Sequence, residues 1–239
     1  MSSIEDYKDI DPATISSSKK TIFIWLDILG FADALEDERK FIELAKMLNN
    51  FQSLFESIDS CETTIISDGL LLRIINPTVD IFKDTLKIIG QKQLQFIVEH
   101  NIFIRGGIAL GSKLDDVQDG NNNLISQGLA RAAKLEASSV DWPIIATNEK
   151  NLKDIQDYFT AEGELFSLHP CFNRKGEKIF FIDFLDEPNS DYYRTLNDKS
   201  MEYISIISVH SKYIWLLRHY HHKFPDTTRD VRISKDDIW

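Results

Sequence analysis

The chain has 239 residues, with 27 Lys and Arg against 38 Asp and Glu, a formal net charge of −11. That much like charge excludes a general nucleic-acid coat and an anionic-membrane binder, both of which need a broad basic surface. Apolar residues make up 43% and charged residues 27%, enough for a sizeable core in one domain and too apolar for a disordered chain. Cys61 and Cys171 form neither a disulfide framework nor a zinc-ligand cluster, so a reducing cytoplasm is the expected compartment. No apolar leader opens the chain, and every hydrophobic run meets a charge before the roughly 18–20 residues a bilayer demands.

Residues 1–20 are polar and aperiodic and read as a mobile tail. TIFIWLD, Thr21 to Asp27, is β-branched, aromatic and too short for a helix; it predicts a buried strand ending in an acid. After Gly30, apolar residues at Phe41, Leu44, Leu48, Phe51 and Phe55 predict one amphipathic helix over Asp33 to Ser57, with Glu36, Asp37 and Glu38 as its solvated first turn. ETTIISDGLLLRII then holds two β-rich runs flanking Asp68-Gly69, a dipeptide suited to a two-residue hairpin turn. This puts strand two at Glu62 to Ser67 and strand three at Leu70 to Ile75.

Pro77 precedes a helical pattern over Val79 to His100, and IFIRGGIALG (102–111) is again a strand. DDVQDGNNN has loop composition, and Ile125 to Ala137 reads as a third helix. Pro143 to Thr147 is a short strand, Asn148 can cap a helix through Tyr158, and KIFFIDF (Lys178 to Phe184) is a late strand. From Ser190 to His222 the apolar spacing predicts one long C-terminal helix. The order β-α-β-β-α-β is the split unit of a ferredoxin-like α+β fold, an antiparallel sheet with helices on one face. The expected division is a tail at 1–20, a catalytic domain at 21–185 and a helical extension at 186–239.

Asp27 closes strand one and Asp68 sits in the hairpin turn. In a ferredoxin-like sheet these positions are neighbours, so the two carboxylates could hold divalent cations between them. Asp68 is equally explained as a preferred turn residue. Asp27 is not, because a carboxylate after IFIWL is poorly solvated and leads into a Gly-containing turn whose N–H groups could bind phosphate. His219, Tyr220, His221 and His222 superficially suggest a metal cluster, but they lie in the last turn of the predicted helix, where polar and cationic groups suit the dipole.

Four segments carry a family resemblance. FIWLDILGFAD resembles the first metal motif of the class III nucleotide cyclases, IISDGLLL their second metal-aspartate hairpin, IRGGIALG their later strand, and SQGLARAAKLEAS the helix bearing their Asn-x-x-x-Arg pair. The matches fall in family order between residue 21 and about 147. Diguanylate cyclase domains share the fold and the first aspartate, but their G-G-[DE]-E-F hairpin has no counterpart in this sequence.

The resemblance implies that Asp27, Asp68 and the Ile28 carbonyl bind two Mg²⁺ or Mn²⁺ ions, one lowering the pKa of the ribose 3′-hydroxyl and the other neutralising the triphosphate. It implies that the amides of Leu29, Gly30 and Phe31 cradle the β- and γ-phosphates, that Arg105 contacts phosphate, and that Arg131 or Lys134 stabilises the transition state. It further implies a homodimer with shared sites, the metal aspartates on one protomer and the helix residues on the other.

The sequence departs from the purine cyclases where the base is read. Thr64 and Gln127 stand where those enzymes carry their adenine- or guanine-reading residues, and Ala130 replaces the ribose-binding Asn. In this the chain resembles the bacterial pyrimidine cyclases of antiviral defence, which make cyclic UMP or cyclic CMP from UTP or CTP for a downstream effector that senses the product. Two alternatives stand beside that reading: an adenylate cyclase with non-standard base recognition, and a degenerate module that binds nucleotide without turning it over.

Overall fold

A computed structural model describes residues 20–36, 39, 41–112, 126–160 and 168–228. The predicted tail up to residue 19, the DDVQDGNNN loop, Ile125, Asp37 and Glu38 lie outside these residues, while Lys20, assigned to the tail, is the first residue of β1. The core opens β1 (Lys20–Ile28), α1 (Phe31–Leu35), α2 (Phe41–Glu56), β2 (Glu62–Ile66), β3 (Gly69–Ile75), α3 (Val79–His100) and β4 (Ile104–Ser112). It continues with α4 (Gln127–Ser139), β5 (Ile145–Asn148), α5 (Glu149–Phe159), β6 (Leu168–Phe172), β7 (Lys178–Ile182), α6 (Ser190–Glu202) and α7 (Ile207–Lys223).

The sheet order is β2-β3-β1-β4-β5-β7-β6. Its first four strands have the ferredoxin-like order, and every pair is antiparallel except β4–β5. β1 lies at the centre because it is apolar on both faces. Ile22, Ile24, Leu26 and Ile28 pack with Leu44, Phe51 and Phe55 of α2 and Phe82, Leu86 and Ile89 of α3. Phe23 and Trp25 project from the other face, against Leu129 and Ala132 of α4.

Helices therefore cover both faces, not one as the sequence predicts. Three glycines allow α4 to lie against the second face. A Cβ on Gly107 would stand 2.1 Å from the Ala132 carbonyl oxygen, one on Gly111 2.4 Å from the Gly128 nitrogen, and one on Gly128 2.1 Å from the Phe23 ring. The helix backbone sits directly on the strand, and only residues without a side chain permit that approach.

Other boundaries also move. The segment after Gly30 is two helices rather than one, because Leu35 and Phe41 leave the buried stripe, at 43% and 62% exposed. The hairpin turn is Ser67-Asp68 rather than Asp68-Gly69: Ile66 pairs with Gly69, and Ser67 takes the positive φ of 59°. Gly69 is needed for space instead, since a Cβ there would stand 2.1 Å from the Trp25 indole. β6 is an additional strand carrying Pro170; it lies at the sheet edge, where a missing N–H breaks no ladder.

The predicted long C-terminal helix is a hairpin of α6 and α7. Reversal at Tyr203–Ile206 stacks Tyr203 on Tyr213 at 5.9 Å and lets the His210 ring bond the Ser200 carbonyl at 2.8 Å. Tyr192 of α6 and Tyr220 of α7 then bury together with Phe181 and Phe184. The far end of α7 is tied to Asp183, 3% exposed, by Lys223 at 2.5 Å and His219 at 3.4 Å. Burial alone would raise the Asp183 carboxyl, but the hydrogen bonds from His219, Lys223 and the Leu185 amide hold it well below the ordinary range. His219 is thus an anchor for the hairpin, and the His221 ring lies edge-on to Tyr193.

Candidate active site

Asp27 is the penultimate residue of β1, and its strand partners are Gly69 on β3 and Arg105 on β4. Asp68, one residue before Gly69 in the hairpin turn, lies at the same end of the sheet. The side chain of Asp27 is 25% exposed and shares the Trp25 face, 3.8 Å from Arg105 Nη2. Its carboxyl is pushed up to about 6, first by burial and then by the charge of Glu136, with Asp68 adding to the rise and Arg105 and Lys212 opposing it.

Glu136 completes the cluster from α4. Its side chain is 7% exposed and ion-paired with Arg105, whose Nη1 also donates to the Val140 carbonyl at 3.3 Å. Burial raises the Glu136 carboxyl and Arg105 pulls it back. Lys212 on α7 reaches the same field: burial lowers its pKa, the charges of Arg105 and Arg174 lower it further, and Asp141 and Glu136 act in the opposite direction. One end of the sheet therefore gathers three carboxylates and two cations from five different elements.

The remaining predicted residues do not join this cluster within one chain. α4 runs from Gln127, beside Gly111, back to Glu136, beside Gly107. Arg131 lies on the earlier half of that helix and donates to the Leu110 carbonyl at 3.3 Å and to Asp154 Oδ2 at 3.4 Å. With Gln127, Lys20 and Tyr158 it lines a cleft of about 380 Å³. Lys134 is exposed. Thr64, on β2, accepts a hydrogen bond from Arg73 at 3.4 Å.

No protein-family model matches the chain, and no curated protein is similar to it. Among solved structures, a bacterial light-regulated adenylyl cyclase superposes with a TM-score of 0.51 at 16% identity, over 78% of this chain and 58% of that one. The fold is that of the class III nucleotide cyclases. A second structure of a bacterial light-regulated adenylyl cyclase gives a TM-score of 0.48 at 16% identity, over 75% of this chain and 97% of that one. The adenylyl cyclase CyaB from P. aeruginosa gives 0.46 at 15% identity, over 73% and 97%.

On this cyclase fold, the turn after Asp27 carries the amides that the sequence assigns to phosphate. Leu29 N–H is already donated to the Phe103 carbonyl at 3.0 Å, which leaves Gly30 and Phe31 for that task. Gly30 has φ of 79° and open space around it. Ile28 turns its side chain into the core at 2% exposed. For divalent metal, the donors are hard oxygens: Asp27 is raised first by burial and then by Glu136, with a smaller contribution from Asp68, and a cation between Asp27 and Asp68 would offset that cost of ionisation. Among the described residues no group of three or more His, Cys, Asp or Glu is arranged around a metal position. Asp27 and Asp68 could hold Mg²⁺ or Mn²⁺ with main-chain and phosphate oxygens completing the shell, since those ions favour one or two carboxylates over an all-protein cage.

Sequence reasoning missed Glu136 and Lys212 as members of the cluster. Glu136 has a local signal, since it follows Ala132 and Leu135 on the buried stripe of α4, where an acid demands a partner. Lys212 has none, because only the folding of the helical hairpin brings it back to β1. No helix among the described residues is long and apolar enough to cross a membrane.

Proposed function

We propose that this chain is a nucleotide cyclase that converts UTP or CTP to the 3′,5′-cyclic monophosphate and pyrophosphate. The reading is carried by Asp27 in register with Gly69, which sets it beside Asp68 at the sheet end that also holds Arg105. The O3′–Pα bond forms, the bond from Pα to the bridging oxygen breaks so that pyrophosphate departs, and the 3′-hydroxyl proton passes to solvent water. Two Mn²⁺ or Mg²⁺ ions on Asp27, Asp68 and the Ile28 carbonyl would supply Lewis acidity to the hydroxyl and the triphosphate. Arg105, held by Glu136 and the Val140 carbonyl, offers a fixed positive charge that needs no reorganisation as pyrophosphate departs. The Gly30 and Phe31 amides face the phosphates from the turn.

Arg131 and Lys134 lie on α4 away from Asp27, which supports a head-to-tail homodimer in which each protomer completes its partner's site. Thr64 and Gln127 at the base-reading positions support a pyrimidine substrate. Resemblance to the pyrimidine cyclases adds a role in generating an antiviral second messenger, read by a separate effector. ATP is the second reading, favoured by the similarity to a bacterial light-regulated adenylyl cyclase.

Incubation with each of the four ribonucleoside triphosphates and Mn²⁺, followed by mass identification of products, tests the proposal. Cyclic UMP or cyclic CMP in excess is the expected result. Cyclic AMP in excess supports the second reading, and nucleotide binding without pyrophosphate release supports the degenerate module.

A further inference from the structure

Arg73 stands in the middle of β3, in a run where Leu70, Leu71, Leu72 and Ile74 are all buried. It is in register with Glu62 on β2 and Phe23 on β1. Its Nη2 is 3.0 Å from Glu62 Oε2 and donates to Thr64 Oγ1 at 3.4 Å; the side chain is 14% exposed, and its Nε is buried with no partner. Glu62, in contrast, is 51% exposed. A cross-strand ion pair alone does not need a guanidinium sunk this far with a donor unsatisfied, since Lys would serve such a pair from the surface.

The surroundings are those of the base-reading position. Thr64 stands four residues before Asp68, and Phe23, the strand neighbour of Arg73, packs beneath Gly128, the residue after Gln127. Nη1 of Arg73 has no partner among the described residues. Thr64 already accepts from Arg73, so its own hydroxyl hydrogen is available to donate. Two neighbouring donors result, and the Glu62 carboxylate beside them is already paired with Arg73.

We propose that Arg73 and Thr64 read the base and select cytosine, an inference that rests on the cyclase reading above. Cytosine presents N3 and O2 as adjacent acceptors, matching two adjacent donors. Uracil presents an N3–H between its two oxygens, which sets donor against donor. Adenine places its amine beside N1 with the same effect. Guanine matches only through O6 and N7, on the edge away from its pairing face.

The test compares the full chain with Arg73→Met, Arg73→Lys and Thr64→Val. Rates with CTP, UTP, GTP and ATP in Mn²⁺ give kcat and KM, and calorimetry gives the affinity of the four α,β-methylene analogues. The unaltered chain is expected to favour CTP over UTP by at least about 10-fold in kcat/KM, and Arg73→Met and Thr64→Val to lose about 10- to 100-fold on CTP, chiefly in KM. Lys at position 73 is expected not to restore the preference. A preference for UTP, GTP or ATP, or an equal loss on all four, overturns the assignment. Should Arg73→Met fail to fold, Thr64→Val, which leaves the Arg73–Glu62 pair in place, decides. If no triphosphate is cyclised, the cyclase reading fails by itself. The analogues then decide: a CTP preference lost in the variants upholds Arg73 as the reader, and equal binding of all four overturns it.

Discussion

Arg105 and Glu136 form an ion pair that joins β4 to α4, and the same guanidinium lies 3.8 Å from Asp27. The pair fixes the position of the site's positive charge. Glu136 is nearly sealed from water, so each partner depends on the other for compensation of its charge.

Removing one partner should therefore cost more than softening the other. Arg105→Leu leaves Glu136 buried without a cation and is expected to destabilise the fold by about 3–5 kcal/mol. Glu136→Gln keeps an acceptor for the guanidinium and should cost about 1–2 kcal/mol. Urea unfolding of the two variants checks the ranking; a Glu136→Gln cost as large as that of Arg105→Leu would contradict it.

Asp27 makes the opposite contribution to stability. Its carboxyl is pushed up to about 6 in the folded chain, first by burial, against 3.8 for a free aspartate, so the folded state holds this proton more tightly than the unfolded state does. Its ionisation therefore costs the fold nothing below about pH 4, a growing amount from there to pH 6, and roughly 2–3 kcal/mol above. Asp27→Asn removes that cost. In chelator at pH 7 the variant should melt no lower than the parent, with a flatter stability profile between pH 4 and 6, while cyclase activity falls by at least about 100-fold. Melting curves across that range and product assays measure both; a variant inactive because it is unfolded would refute the assignment.

The contact of α4 with the sheet depends on bare backbone. Gly107→Ala sets a methyl group 2.1 Å from the Ala132 carbonyl oxygen, an atom that cannot rotate away. The helix must lift, at a cost of about 3 kcal/mol or more, and Glu136 must move away from Arg105. Thermal melting should show the loss. Ala substitution at Gly30, where φ is 79° but space is open, should cost about 1 kcal/mol.

Arg131 bonds Asp154, and Lys134 faces solvent on the turn of α4 that follows. If a partner's α4 completes each site, Asp27→Ala and Lys134→Ala are each inactive as pure proteins. Mixed under subunit exchange, they should recover up to about a quarter of the parent activity, because half of the chains form mixed dimers with one intact site. No recovery despite demonstrated exchange would refute the shared site.

Much of this molecule is legible in a single dimension. β1, the two runs of the hairpin, and the helix from Val79 to His100 follow from apolar period and turn chemistry, which act over a few residues. Asp27 stands out for the same reason, as a charge closing a buried run, and Asp68 becomes its neighbour once strand order is inferred.

What tertiary structure alone decided are the meetings of residues far apart in the chain. Apolar period continues through Tyr203–Ile206 without Gly or Pro, so nothing local announces the reversal that brings Lys212 to β1 and anchors α7 on Asp183. Nor does spacing show that Gly107, Gly111 and Gly128 let α4 settle on the second face and carry Glu136 to Arg105. Periodicity states which face of an element is buried. The partner it is buried against depends on sheet register and close backbone approach, which are properties of the assembled chain.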